Sequence, residues 1–219
     1  MKVNNVVYNM DCLEYMKTIP DKYFELSICD PEYGISINHN MGRRAGDKKS
    51  SYKKVEWDSK IPDEIYFTEL ERISKKRIVW GGNYFTEFLL PVNSWILWHK
   101  MNDGVSFSMV EMAWTDLDIN TKLFTLFNKQ DKRIHPTQKP IMLYKWLLTN
   151  YAKPNDKIFD SHVGSGSSRI ACYELGFDFI GCELDKDYWQ AQEKRFELEK
   201  HKIDNKFYLP PDNNGLFNA

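Results

Sequence analysis

The sequence predicts an α/β fold, a doubly wound and mostly parallel sheet with helices on both faces and an antiparallel edge. Three observations carry this. Short apolar, partly β-branched runs alternate with stretches at helical spacing along most of the chain. The runs are apolar at successive positions, as in strands buried on both faces. Three strand-like runs between residues 94 and 127 follow one another with less helix between them, which is where an antiparallel edge is expected.

The elements follow in order. NNVVY is a strand, CLEYMKTI a helix, and FELSICD a strand that stops at Pro31. Residues 34–60 then break the pattern, with three glycines, few apolar positions and seven basic residues against three acids. That composition predicts a long, mobile loop of positive local charge. PDEIYFTELERI has the spacing of an amphipathic helix with Pro62 at its start, and KRIVW is a strand ending at Gly81-Gly82. SWILWHK, SMVEMAWTD and KLFTLF are the three consecutive strands, and Pro140 opens the helix PIMLYKWLLTNYA. KIFD, SGSSRIACYEL, DFIGCEL and DKDYWQAQEKRFELEK complete a βαβα series. The chain reads as a single domain over residues 1–219.

Composition excludes some classes. Lys plus Arg number 30 against 31 Asp plus Glu, so any surface for nucleic acid must be local. Cys12, Cys29, Cys172 and Cys182 lie far apart with no CxxC pair, which predicts reduced core thiols and a cytoplasmic protein, not a disulfide or zinc framework. No metal site is expected. No run approaches the roughly 18 apolar residues of a membrane span, and the first residues lack a signal-peptide core.

Ligands in such sheets bind at strand carboxyl ends. Three loops there are unusual: Asp30–Tyr33, Trp80–Phe85 and Asp160–Ser168. In IFDSHVGSGSSRIA an acid, Asp160, ends a strand, Gly164, Ser165 and Gly166 lead into a helix, and Glu183 ends the next strand. Glycines admit close backbone approach, a helix N-terminus offers free N–H groups, and an acid on the second strand can hold ribose hydroxyls, so the spacing suits a nucleoside pocket. The plainer reading is a tight turn with Ser167 or Ser168 as helix cap. Arg169 stands where a dinucleotide-binding turn would have its third glycine, which disfavours a dehydrogenase.

Together these motifs resemble the amino-methyltransferases that use S-adenosylmethionine, in the order where the catalytic loop precedes the cofactor loop. SICDPEYGI is similar to that family's D-P-P-Y loop, IHPTQKP to its H-P-T-x-K-P element, FDSHVGSGSSRIA to its D-P-F-x-G-S-G-T loop, and FIGCELDKDY to its ribose-binding strand. NMDCLEYMKTIPDKYFELSICD resembles the segment that precedes the catalytic loop. The resemblance implies a Rossmann-like methyltransferase fold acting on adenine in double-stranded DNA, of phage or restriction-modification type. Asp30 and the Pro31 carbonyl would hold the amine and Tyr33 would stack on the flipped base. Asp11, His135, Thr137, Lys139, Asp160, His162, Gly164, Ser165, Gly166, Ser167 and Glu183 would hold the cofactor.

Several of these residues keep two readings. Asp11 suits a helix cap as well as an adenine contact, His135 packing as well as a ligand contact, and Thr137 and Lys139 capping or solvation of a helix start. Arg43, Arg44, Lys48, Lys49 and Lys53, with Lys54, fit a solvated loop or a clamp on phosphates flanking the base. Residues 99–134, with the basic loop, would serve as a small target-recognition segment, and a homodimer or a cognate restriction nuclease would be further partners. Asp at position 30 favours adenine over cytosine; RNA or a protein amide is a second class of substrate, and a silent binding relative a third reading. Glu32 departs from the family's second proline, and His162 with Ser161 from its P-F. Glu32 is expected to point away from the base, held by a cation or backbone donor, so that Glu32→Pro keeps activity.

Overall fold

The computed structural model describes residues 3–35, 57–102, 108–127 and 133–206. In chain order the elements are β1 (Asn5–Tyr8), α1 (Cys12–Met16), β2 (Phe24–Cys29), α2 (Glu64–Ile73), β3 (Ser74–Trp80), β4 (Trp95–His99), β5 (Val110–Thr115), β6 (Lys122–Thr125), α3 (Ile141–Tyr151), β7 (Lys157–Asp160), α4 (Ser167–Leu175), β8 (Asp178–Cys182) and α5 (Lys186–Lys206). Each run read from the sequence as a strand or helix forms that element, with bounds shifted by a few residues.

The strands form a single sheet in the order β1-β8-β7-β2-β3-β5-β4-β6. Every pairing is parallel except those of β5 with β3 and β4. Among the described residues the antiparallel element is therefore β5 alone, third from the edge, and β6 at the edge runs parallel to β4. The antiparallel strand expected among these three runs is present, and it lies inside the sheet because β4 and then β6 extend beyond it.

Both faces are covered, and the strands divide their side chains accordingly. Ile78 and Trp80 of β3, Ala113 of β5 and Ile158 of β7 join a core closed by Leu143, Leu147 and Leu148 of α3 and Ala171 and Cys172 of α4. Val79, Trp114 and Phe159, one residue along on the same strands, join a second core with Tyr15 and Met16 of α1 and Tyr66, Phe67, Leu70 and Ile73 of α2. Burial on alternate faces explains the uninterrupted apolar runs, and each large side chain so enclosed contributes about 1.5–3 kcal/mol. Cys29, Cys172 and Cys182 are buried free thiols within these layers, and Cys12 is a partly buried one.

Parallel register brings the ends of β8, β7, β2 and β3 together at one edge of the layer. The strand β5 arrives from the opposite direction. Trp80 at the end of β3 pairs with Ala113, so Glu111 and Met112 continue past that end, and Gly81 N–H donates to the Met112 carbonyl at 2.8 Å. Close packing behind this edge depends on Gly181 of β8, where a Cβ would stand 2.3 Å from Val163 Cγ2 and 3.0 Å from the Asp160 carbonyl oxygen. Gly181→Ala is accordingly expected to destabilise the protein by about 1–3 kcal/mol, read as a lower urea midpoint at unchanged slope.

Candidate active site

The loop after β2 carries Asp30, whose carboxylate is held from two sides. Its Oδ1 accepts from Tyr33 OH at 2.6 Å and its Oδ2 from Lys139 Nζ at 2.5 Å. Lys139 is 4% exposed. Its ammonium also lies 3.2 Å from Glu111 Oε2 and 3.2 Å from Tyr33 OH, and Lys100 Nζ meets the other Glu111 oxygen at 3.1 Å. Burial penalises the Lys139 charge, yet the attraction of Asp30 and Glu111 outweighs it and raises its pKa. Glu111 is held below the usual carboxylate range in the same way, burial being overcome by Lys139 and Lys100. Burial, and then the negative charges of Asp30 and Glu111, keep the Tyr33 phenol protonated.

The backbone of this loop has its own anchor. Asp58 Oδ1, buried, accepts from the N–H groups of Tyr33 and Gly34, each at 3.0 Å. The Tyr33 ring lies over Gly81, where a Cβ would come within 2.2 Å of it; a φ of +72° at Gly81 gives a second reason for glycine. Tyr33 also stacks on Tyr84 at 5.0 Å and 17°. The Trp80–Phe85 loop thus supplies an aromatic neighbour to the residue expected to face a base.

Beyond β7 the chain turns through Gly164 (φ +52°) and Gly166 (φ +78°) into α4. Neither serine caps that helix. The N-cap position is Gly166, without a side-chain bond; Ser167 Oγ donates to the Lys139 carbonyl at 2.7 Å and Ser168 Oγ to Asp160 Oδ2 at 2.6 Å. Asp160, 1% exposed, also takes the His162 N–H on Oδ1 at 3.0 Å, so its carboxylate organises the turn. Burial lifts its pKa to about 6.

Glu183, just past β8, accepts the Gly164 N–H on Oε2 at 2.8 Å and the Asp185 N–H on Oε1 at 2.9 Å. Each oxygen keeps a further lone pair for a hydroxyl. The 133–139 segment lies against the same turn. The nearest atoms to a Cβ on Gly164 would be those of the His135 ring, 3.6 Å away. Thr137 Oγ1 meets His135 Nδ1 at 3.0 Å, and burial, with Lys139 near, holds the imidazole down to about 4.

The structure therefore gathers Asp30, Pro31, Tyr33, His135, Thr137, Lys139, Asp160, His162, Gly164, Ser165, Gly166, Ser167 and Glu183 at one sheet edge. Asp11 forms the expected cap, accepting from Leu13 N–H at 2.7 Å and Glu14 N–H at 3.3 Å. Its loop reaches this edge too, since Asn9 Nδ2 donates to the Glu183 carbonyl at 2.8 Å. Arg43, Arg44, Lys48, Lys49 and Lys53 lie outside the described residues. Sequence reasoning passed over Glu111, Lys100 and Asp58. A lone acid inside the apolar run VEMAWT was the available signal for the first. Among the described residues no group of three His, Cys, Asp or Glu side chains is placed to hold a metal ion, and no helix is long and apolar enough to cross a membrane.

Removing the buried cation tests this network. Lys139→Met takes the cation from Asp30 and leaves Glu111 to Lys100 alone, and is expected to cost about 3–5 kcal/mol at neutral pH. Glu111 has a folded pKa below its ordinary 4.5, so its contribution is present above that value and lost as pH falls through the folded one. The difference between wild type and variant, measured by chemical denaturation, should therefore shrink in acid.

The chain resembles known proteins over most of its length. The profile of a family described as DNA methylase matches residues 43–194, more than half of the chain. The type II methyltransferase M.HinfI of Haemophilus influenzae is 26% identical over 87% of this chain and 68% of its own length. Among solved structures, a complex of M1.HpyAVI with SAM superposes with a TM-score of 0.58 at 20% identity, covering 89% of this chain and 98% of that one. The cytosine-N4-specific PvuII DNA methyltransferase gives 0.58 at 14% identity, covering 93% and 94%. These two show a common fold. Because the family match runs through the Lys139 segment, the whole glycine turn and Glu183, the chain belongs to the DNA methylases that act on exocyclic amino groups, adenine N6 or cytosine N4.

Proposed function

We propose that the protein transfers a methyl group from S-adenosylmethionine to the 6-amino group of adenine in double-stranded DNA, with the target base turned out of the duplex. The observation that carries this reading is the place of Asp30, a carboxylate at the end of β2, oriented by Tyr33 and Lys139, with the glycine turn on the adjacent strand and Glu183 on the next. The cofactor supplies an electrophilic methyl group on a sulfonium. The residues present suit it: Glu183 keeps acceptor capacity for ribose hydroxyls, and the first turn of α4 has N–H groups without a side-chain cap to meet a carboxylate.

The protein's task is alignment. Asp30 accepts one hydrogen of the target amine and the Pro31 carbonyl a second, which draws the nitrogen lone pair out of the ring system and sets its direction. The Asp30 oxygens can do this while still bonded to Tyr33 and Lys139, because a carboxylate accepts about four hydrogen bonds. Tyr33, with Tyr84 behind it, offers an aromatic surface to the flipped base, offsetting an extrusion cost of a few kcal/mol by about 1–3 kcal/mol of stacking. The proton released from the amine leaves to water or through Asp30.

Asp at position 30 supports adenine; cytosine 4-amino transfer is the second reading, because the matching family covers both groups. Arg43, Arg44, Lys48, Lys49 and Lys53 would clamp phosphates beside the target, and a homodimer would enlarge the recognition surface beyond residues 99–134. Labelled methyl is expected to pass from S-adenosylmethionine to duplex DNA, with Asp30→Ala reducing turnover by about 10²–10³-fold. Chromatography of the digested nucleosides then separates 6-methyladenine from 4-methylcytosine. Unlabelled DNA, or an undiminished rate in the variant, refutes the mechanism. DNA affinity should also fall with salt at a log–log slope of about −0.9 per phosphate contacted, and replacing Arg43 and Arg44 with Ala should flatten that slope by about two units.

A further inference from the structure

A second contact, separate from the Lys139 group, joins the loop after β2 to the loop after β7. Glu32 Oε2 lies 3.3 Å from His162 Nε2. The other ring nitrogen, Nδ1, is 2.8 Å from Ser161 Oγ, which is 2.7 Å from Tyr66 OH on α2. The Tyr66 ring stands against the imidazole at 5.5 Å and 67°. His162 is thereby held at both ring nitrogens, and its backbone N–H donates to Asp160 Oδ1. Glu32 in turn lies between Asp30 and Tyr33, the two residues assigned to the base.

We propose that Glu32 and His162 are positioning residues whose ion pair couples the two halves of the site, so that cofactor in the glycine turn and DNA at the Asp30 loop strengthen each other's binding. The inference rests on the methyltransferase reading above. Its physical basis is shared ordering: a ligand that sets the 160–166 turn also sets His162, hence Glu32 and its neighbours, and the second ligand finds its loop already placed.

The groups around the pair define its pH range. His162 faces Glu32, Asp160 and Glu183, with Ser161 and Tyr66 beside it; Glu32 faces His162, with Cys12 nearby. Burial opposes the imidazolium, but these carboxylates prevail and raise its pKa to about 9. Burial likewise opposes the Glu32 charge, and His162 prevails, lowering that pKa to about 2. The histidine's contribution is complete below its ordinary 6.5 and is lost as pH rises through about 9. That of the glutamate is complete above 4.5 and is lost as pH falls through about 2. Coupling should therefore hold at neutral pH and fade in alkali. Glu32→Pro, tolerated on sequence grounds alone, strips His162 of its counter-ion in this geometry.

The test measures affinity for a duplex containing the site found by the transfer assay, with and without S-adenosylhomocysteine. In the wild type the nucleoside should tighten DNA binding by at least about fivefold, and DNA should tighten nucleoside binding by the same factor. Whatever their effect on either ligand alone, Glu32→Gln and His162→Gln should each bring that factor toward one, the double variant should do no more, and Glu32→Asp should restore part of it. The wild-type factor should also fall as pH is raised past His162's titration, while the variants stay flat. A factor of one in the wild type, or an unchanged factor in both Gln variants, overturns the coupling and leaves methyl transfer standing. Failure to bind either ligand overturns the methyltransferase reading, and the coupling with it.

Discussion

A buried ammonium needs anions, and the site is organised around that need. Lys139 is almost fully enclosed, and an isolated charge in such a place would cost several kcal/mol. Asp30 and Glu111 offset the cost, one from the loop after β2 and one from the start of β5. The same residue reaches α4 through its backbone, since its carbonyl accepts from Ser167. A single side chain and its peptide thus tie together three parts of the chain that are more than 25 residues apart. Apolar replacements could be as stable, but they would not aim a carboxylate.

Around this cation the backbone comes unusually close. The Tyr33 ring occupies the space that a side chain at position 81 would fill, and Trp114 does the same at position 82, where a Cβ would fall 2.4 Å from its own. The strands end at one edge, so these glycines stand where loops from neighbouring strands must share room. Packing at that density leaves small residues no alternative, which links the Gly81-Gly82 pair to the site and not merely to a turn.

The fold was legible because local physics and final structure agree. Apolar runs of strand length, helix starts at Pro62 and Pro140, and acids at the ends of KIFD and DFIGCEL each mean the same thing in the chain and in the sheet. The position of β5 was not legible: strand periodicity does not say which neighbour a strand pairs with, and that choice belongs to packing between distant segments. In the site, Asp30, Lys139 and Glu183 stood out by their place in motifs. Glu111 and Asp58 did not, because their partners lie 28 and about 25 residues away, and a lone acid shows no partner in sequence.

By itself, then, the sequence determined the order of elements, the loops that would meet a ligand and the chemical types in them, since these follow from short-range periodicity and turn chemistry. Only the tertiary structure decided that the antiparallel strand is internal, that Glu111 and Asp30 share one cation, and that Glu32 meets His162. Two departures from the family motifs, Glu32 and His162, are 130 residues apart in the chain and 3.3 Å apart in space. Charge pairing of that kind depends on distance through the fold, which local pattern does not encode.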